Sequence, residues 1–245
     1  MDRALYIAMT GARQIELAQA INTNNLANVS TDGFRAELAA FRAMPVFGPG
    51  QPTRVYAMAE RPGVDLSAGK VTTTGRDLDI AINGEGWIVV QARDGSEGLT
   101  RAGNLRVSSV GQLETGDGLA VMGNDGPIAI PDAESIEIGA DGTISIRPLG
   151  LSANSLTVVD RIRLVRPEAG KLYKGEDGLM RVRGGIPAPD AAVTVVNGAL
   201  ESSNVNAVEA MVNMIALSRQ YEMQIKVMKT TEENDAASAR LMRLS

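Results

Sequence analysis

The 245-residue chain contains no His and no Cys, so any chemistry it performs must come from carboxylates, Lys, Ser or Thr. His is the commonest general base and metal ligand, and thiolates supply nucleophiles, disulfides and zinc sites. Four kinds of stretch carry the remaining residue types at suggestive spacing. Ser67-Ala68-Gly69-Lys70 has the S-x-x-K form of a serine activated by Lys, but the companion S-D-N and K-T-G motifs are missing. It also lies in Gly/Pro-rich sequence instead of opening a helix, so coincidence accounts for it. Gly84-Glu85-Gly86 begins a G-x-G phosphate loop, yet Val89 stands where the third Gly is needed. Asn124-Asp125-Gly126 and Asp141-Gly142 offer oxygen ligands, but the spacing of a calcium loop is absent and turn formation explains both. Asn28-Val29-Ser30 fits a glycosylation sequon, with no secretory signal to give it use. No catalytic, cofactor-binding or metal-binding residue is expected, and the chain is read as not an enzyme.

The chain must then be understood through the elements that its apolar residues build. Hydrophobic residues make up 44% of it and aromatics only 3%, so a core has to be assembled from Val, Ile, Leu and Ala. Net charge is −5; residues 1–40 hold four acids and three bases, and residues 200–245 hold six and five. With no basic segment, nucleic-acid binding is not expected. The apolar run near the start, residues 4–9, is too short for a signal sequence, and nothing approaches the roughly 20 apolar residues of a membrane span. Neither a cleaved signal nor direct membrane insertion is expected.

Residues 206–245 contain no Gly and no Pro, in a chain with 26 and 10 of them. Asn206 and Glu209 have the spacing of a capping box. Behind them Met211, Met214, Ser218, Tyr221, Ile225 and Met228 step by three and four, a heptad stripe. A helix through this stretch would be roughly 55 Å long. Residues 2–28 supply a partner: Leu5, Ala8, Ala12, Ile15, Gln19, Asn22 and Leu26 step likewise, and Ile7, Leu17 and Ile21 widen the face. An apolar stripe is more often an ordinary core face than an interaction seam. Against that plain account stand the terminal placement of both stripes, the length of the second and the small side chains of the first.

Between the ends, Pro45, Gly48, Pro49, Gly50, Pro52, Pro62 and Gly63 predict an extended connector over 34–70, with room for a short amphipathic piece over 36–44. From residue 71 to 199 the pattern is β. Leu78, Ile80 and Ile82 alternate, Asn83-Gly84 gives a hairpin signal, and Trp87-Ile88-Val89-Val90 follows. Ile136 and Ile138 face Ile144 and Ile146 across Asp141-Gly142, and the closely spaced turns predict an antiparallel sandwich or barrel. The expected fold is mainly β: an antiparallel core, 71–199, flanked by N- and C-terminal α-helices, 1–33 and 200–245, that pair as an axial coiled-coil module.

The stretches Asn24-Asn25-Leu26-Ala27-Asn28-Val29-Ser30-Thr31-Asp32-Gly33-Phe34-Arg35, residues 69–87, Leu99-Thr100-Arg101-Ala102-Gly103-Asn104-Leu105 and residues 198–206 with the helix behind them follow one another in an order that resembles the bacterial flagellar rod and hook proteins. The resemblance runs nearly end to end. The opening MDRALYIAMTGA and Phe34-Arg35-Ala36-Glu37-Leu38 most resemble the family's proximal-rod branch. The distal-rod branch and, outside the family, a non-catalytic β-domain binding module are the alternatives. What the resemblance implies is a structural subunit of the periplasmic rod, exported without a cleaved signal peptide by the flagellar type III apparatus. It implies helical stacking with its own copies and with other proximal and distal rod proteins, transmission of torque to the hook, and no cofactor. Taken with the stripes, it implies an assembly interface of Leu5, Ile7, Ile15, Ile21, Asn25, Leu26, Asn28, Phe34, Met211, Met214, Ile215, Tyr221, Ile225 and Met228.

Overall fold

The computed structural model describes residues 4–45, 55–60, 63–148 and 156–243. The chain divides into two compact units, one of Met1–Ala27, Glu37–Gly63 and Val205–Ser245, the other of Asn28–Ala36 and Val64–Asn204.

The first unit is built on two helices. α1 spans Ala4–Ala27 and α2 spans Ala207–Arg243. Asn206 caps α2 as expected, its Oδ1 accepting from the amides of Val208 at 3.0 Å and Glu209 at 3.3 Å. The two helices pack against each other along much of their length. They run antiparallel: Asn22 donates to the Ala210 carbonyl at 2.7 Å, while Gly11 lies against the Gln224 side chain. Ala8, Ala12, Ile15, Ala18 and Ile21 are buried on α1. The small side chains of Ala8, Ala12 and Ala18, with Gly11, let the α2 backbone approach closely. The less exposed face of α2 runs Ala207, Ala210, Met214, Leu217, Tyr221, Gln224, Met228 and Thr231, a heptad repeat carried partly by polar residues. Met214, Tyr221 and Met228 of the expected stripe lie on it; Met211, Ser218 and Ile225 lie on the exposed side.

The connector expected over 34–70 falls partly outside the described residues, at 46–54 and 61–62. Residues 36–44 do not form an amphipathic helical piece. Ala40–Pro45 instead pairs antiparallel with Val55–Glu60, Phe41 opposite Ala59 and Met44 opposite Tyr56. Pro45 closes off a helix from its C-terminal side, and cross-strand hydrogen bonds satisfy the backbone that a helix of this length could not.

The second unit is all antiparallel β. Its main sheet has the spatial order 172–174, 180–182, 97–100, 87–91, 120–121, 113–115, 105–107, with Leu164–Val165 paired onto 87–91. A three-stranded sheet joins Ala133–Ile138, Thr143–Pro148 and Thr157–Arg161, and it places Ile136 opposite Ile146 and Ile138 opposite Ile144. Thr194–Asn197 pairs with Ile80–Asn83, and Ala199–Glu201 with Val71–Thr73. Strand 87–91 is buried on both faces, which explains its unbroken apolar run. Ile88 and Val90 enter one core with Ile80, Leu105, Leu113 and Ile144, while Trp87 and Val89 enter a second with Leu99, Val165 and Met180.

Asn83-Gly84 is not a hairpin. Strand 80–83 pairs with 194–197 and strand 87–91 with 97–100, so the dipeptide merely turns the chain between two ladders. Local turn chemistry set the bend; strand 80–83 finds its partner more than a hundred residues on, and strand 87–91 finds one in the next strand. Gly103 is required where the chain crosses strand 80–83, because a Cβ there would lie 1.7 Å from the Ile80 carbonyl oxygen. Gly103→Ala is therefore expected to cost more than about 3 kcal/mol in urea unfolding. Gly170→Ala, where a Cβ meets nothing within 4 Å, should stay within about 0.5 kcal/mol.

Candidate assembly interface and the buried ion cluster

The expected interface residues fall into three groups. Ile15 and Ile21 are buried against the rest of the helical unit; Ile7, Leu26, Met214, Tyr221 and Met228 are half-buried there. Leu5, Met211, Ile215 and Ile225 are exposed, at 40, 52, 55 and 44%. They form part of a wider outward apolar set with Val208, Val212, Met223 and Val227. Asn25 anchors the backbone of Glu37, donating to its carbonyl at 2.8 Å and accepting from its amide at 2.9 Å. Asn28 and Phe34 belong to the β unit. Asn28 Oδ1 accepts from the Thr31 hydroxyl at 3.2 Å, which shapes the turn that follows. The Phe34 ring lies 3.8 Å below the Lys174 ammonium, and the same ammonium donates to the Arg35 carbonyl at 3.2 Å.

Sequence reasoning missed the centre of the β unit. Arg35, Arg101 and Glu201 are all buried, at 3, 6 and 1% exposure. Glu201 accepts from Arg35 Nη2 at 2.6 Å through Oε1 and from Arg101 Nη1 at 2.8 Å through Oε2. Oε1 also accepts from the Gly69 amide at 2.8 Å. Arg101 completes its fork with the carbonyls of Gly86 at 2.9 Å and Gly84 at 2.6 Å. Both guanidiniums stand over the Trp87 ring, Arg101 at 5.5 Å and Arg35 at 6.0 Å, where its negative face favours cations. Two buried cations thus face one carboxylate. Arg35 Nε and Nη1 find no acceptor among the described residues.

The backbone around the cluster is equally constrained. The Gly33 amide donates to the Glu201 carbonyl at 2.7 Å and the Asn204 amide to the Phe34 carbonyl at 3.3 Å. The Asn204 side chain accepts from the Ala36 amide and donates to the carbonyls of Asp65 and Ser67. Gly33 adopts φ +68, and a Cβ would meet the Arg101 carbonyl carbon at 2.2 Å. The available signal was the lone charge in each motif: the Arg of Gly33-Phe34-Arg35, the Arg of Thr100-Arg101-Ala102 and the Glu of Leu200-Glu201-Ser202 each sit among small or apolar neighbours.

Burial lowers the Arg35 pKa from its ordinary value, against the hydrogen bond and charge of Glu201. Burial alone would raise the Glu201 carboxyl, but the hydrogen bonds from Arg101 and Arg35, with their charges, outweigh it and hold the group below its usual 4.5. Nothing in the cluster presents a nucleophile or base to a substrate. Among the described residues no group of acidic side chains could hold a metal ion, and no helix is long and apolar enough to cross a membrane.

The architecture is thus a pair of antiparallel terminal helices with an outward apolar face, separated in sequence by a β unit locked by buried charge. Three family models match along the chain: "Flagella basal body rod protein" over residues 5–35, "Flagellar hook protein FlgE/F/G D1 domain" over 81–146, and "Flagellar basal body rod FlgEFG protein C-terminal" over 196–241. The chain is 44% identical to the flagellar basal-body rod protein FlgF of Salmonella typhimurium and to that of Escherichia coli, over 100% of each chain. To the flagellar basal-body rod protein FlgG of Bacillus subtilis it is 28% identical over 95% of its length and 96% of the relative's. The chain belongs to the flagellar basal-body rod family, as a FlgF-like structural protein of the rod.

Because folding favours the ionised form of Glu201, its contribution to stability is complete above about pH 4.5 and drains away as pH falls through the lowered folded value. Glu201→Gln is expected to destabilise the β unit by about 3–5 kcal/mol at neutral pH, since it leaves two buried cations without a counter-charge. Urea unfolding across pH 3–7 should also show a flatter acid limb for the variant.

Proposed function

We propose that the chain is a subunit of the periplasmic proximal rod, where copies stack helically and carry torque from motor to hook. The single observation that carries the proposal is the second apolar face of α2. After α1 has covered its inner face, α2 still exposes Val208, Val212 and Ile215 at 71, 59 and 55%. Isolated soluble proteins rarely leave a continuous apolar strip uncovered, and a packed tube of like helices would cover it. Its partners are its own copies, the proximal and distal rod proteins beside it, and the flagellar export apparatus that delivers it without a cleaved signal. The terminal helices act as one discontinuous assembly module, with Leu5, Met211, Ile215 and Ile225 toward neighbours and Ile15, Ile21, Met214, Tyr221 and Met228 holding the pair together. Its role is mechanical, with no catalysis.

Val212→Glu with Ile215→Glu should leave monomer stability within about 0.5 kcal/mol, because both side chains are exposed. The same pair should abolish crosslinking to rod proteins and swimming in a strain that carries only the variant. Swimming at the parental rate with both charges in place would sink the proposal.

A further inference from the structure

The chain holds two Asn-Gly pairs, Asn83-Gly84 and Asn197-Gly198, each closing one strand of the same antiparallel ladder. Their sequence chemistry is identical and their surroundings are opposite. The Gly198 amide donates to the Asp79 carbonyl at 2.8 Å, and the Gly198 carbonyl accepts from Thr74 and Gly75 at 2.7 and 3.0 Å. The Asn197 side-chain amide donates to the Ile138 carbonyl. Gly84 has φ +80 with nothing within 4 Å of a built Cβ, and among the described residues its amide meets no acceptor. The Asn83 side chain is exposed and makes one long contact, 3.4 Å to the Thr194 hydroxyl.

We propose that Asn83-Gly84 is a self-modifying site, that Asn197-Gly198 is protected, and that modification at the first loosens the ion cluster. The free Gly84 nitrogen attacks the side-chain carbonyl carbon of Asn83, the C–N bond of the amide breaks, and ammonia leaves. The cyclic succinimide is then opened by water at either carbonyl, giving Asp or isoaspartate; no electrons are exchanged. Isoaspartate routes the main chain through Cβ and adds one carbon immediately before Gly84. The Gly84 and Gly86 carbonyls are the two acceptors that complete the Arg101 fork. Lengthening the backbone there displaces them and leaves a buried cation less satisfied. At Asn197 the same attack requires the Gly198 amide to give up its bond first.

The test uses the full-length protein held at mildly alkaline pH and physiological temperature in heavy-oxygen water, with peptide mapping that separates Asp from isoaspartate. Heavy oxygen should accumulate at residue 83 about tenfold or more faster than at 197, the factor expected for one hydrogen bond that must break before attack. The aged protein should unfold at lower urea than fresh protein, while Asn83→Gln aged in parallel should keep its midpoint. Equal rates at the two sites, or no conversion at 83, overturns the assignment of the site. Conversion of residue 83 mainly to isoaspartate with an unchanged midpoint overturns the link to Arg101.

Discussion

One carboxylate holds the β unit in register. Glu201 ends strand 199–201, and its two oxygens meet guanidiniums from residues 166 and 100 positions away in sequence. A buried ion cluster adds little net stability over well-packed apolar residues, because desolvation offsets most of the attraction. Its effect lies in what it forbids. With both arginines buried, any slip of segment 33–36, of the loop at 101 or of strand 199–201 leaves a charge unpaired at a cost of several kcal/mol. The Trp87 face and the Gly84 and Gly86 carbonyls complete the surroundings of Arg101, and the Gly69 amide adds a donor to Glu201. Arg35 Nε and Nη1, without an acceptor among the described residues, mark the point where one acid serves two bases.

Gly33 and Gly69 follow from the same constraint. A Cβ at Gly69 would lie 1.9 Å from the Ser202 carbonyl oxygen, and one at Gly33 would strike Arg101. Both glycines allow backbone to reach backbone around the carboxylate, so segments 33–36, 65–70 and 201–204 are clamped by direct main-chain bonds. Phe34 beneath Lys174 holds the outer side of the first of these segments.

In the helical unit the governing quantity is side-chain volume. Ala8, Gly11, Ala12 and Ala18 give α1 little apolar area, so the pair is held by close approach and by polar contacts such as Asn22 to Ala210. α2 has 37 residues against the 24 of α1, about 55 Å against 36 Å. With Gly11 opposite Gln224, α1 runs out near residue 231, about seven residues further along α2. The last turns of α2 therefore reach past the end of α1, and its larger apolar residues, Met211, Ile215, Met223 and Ile225, face away from it.

Much of this was legible without coordinates. The Asn206 cap, both terminal helices, the buried run at 87–90 and the pairing across Asp141-Gly142 all follow from local rules of capping, period and turn geometry. The pairing of 40–45 with 55–60 did not, because Pro and Gly advertise broken helix without saying whether the extended pieces meet. The face of α2 that meets α1 was only half legible: heptad arithmetic finds apolar stripes, and α2 has two, while α1 offers small residues such as Gly11 that accept Gln224 as readily as Met. The sequence by itself determined the two terminal helices and the β character of residues 71–199, since periodicity, capping and turn residues depend on neighbours within a few positions. Only the tertiary structure decided that Arg35, Arg101 and Glu201 meet, because a buried charge declares its partner only when the fold removes water from both.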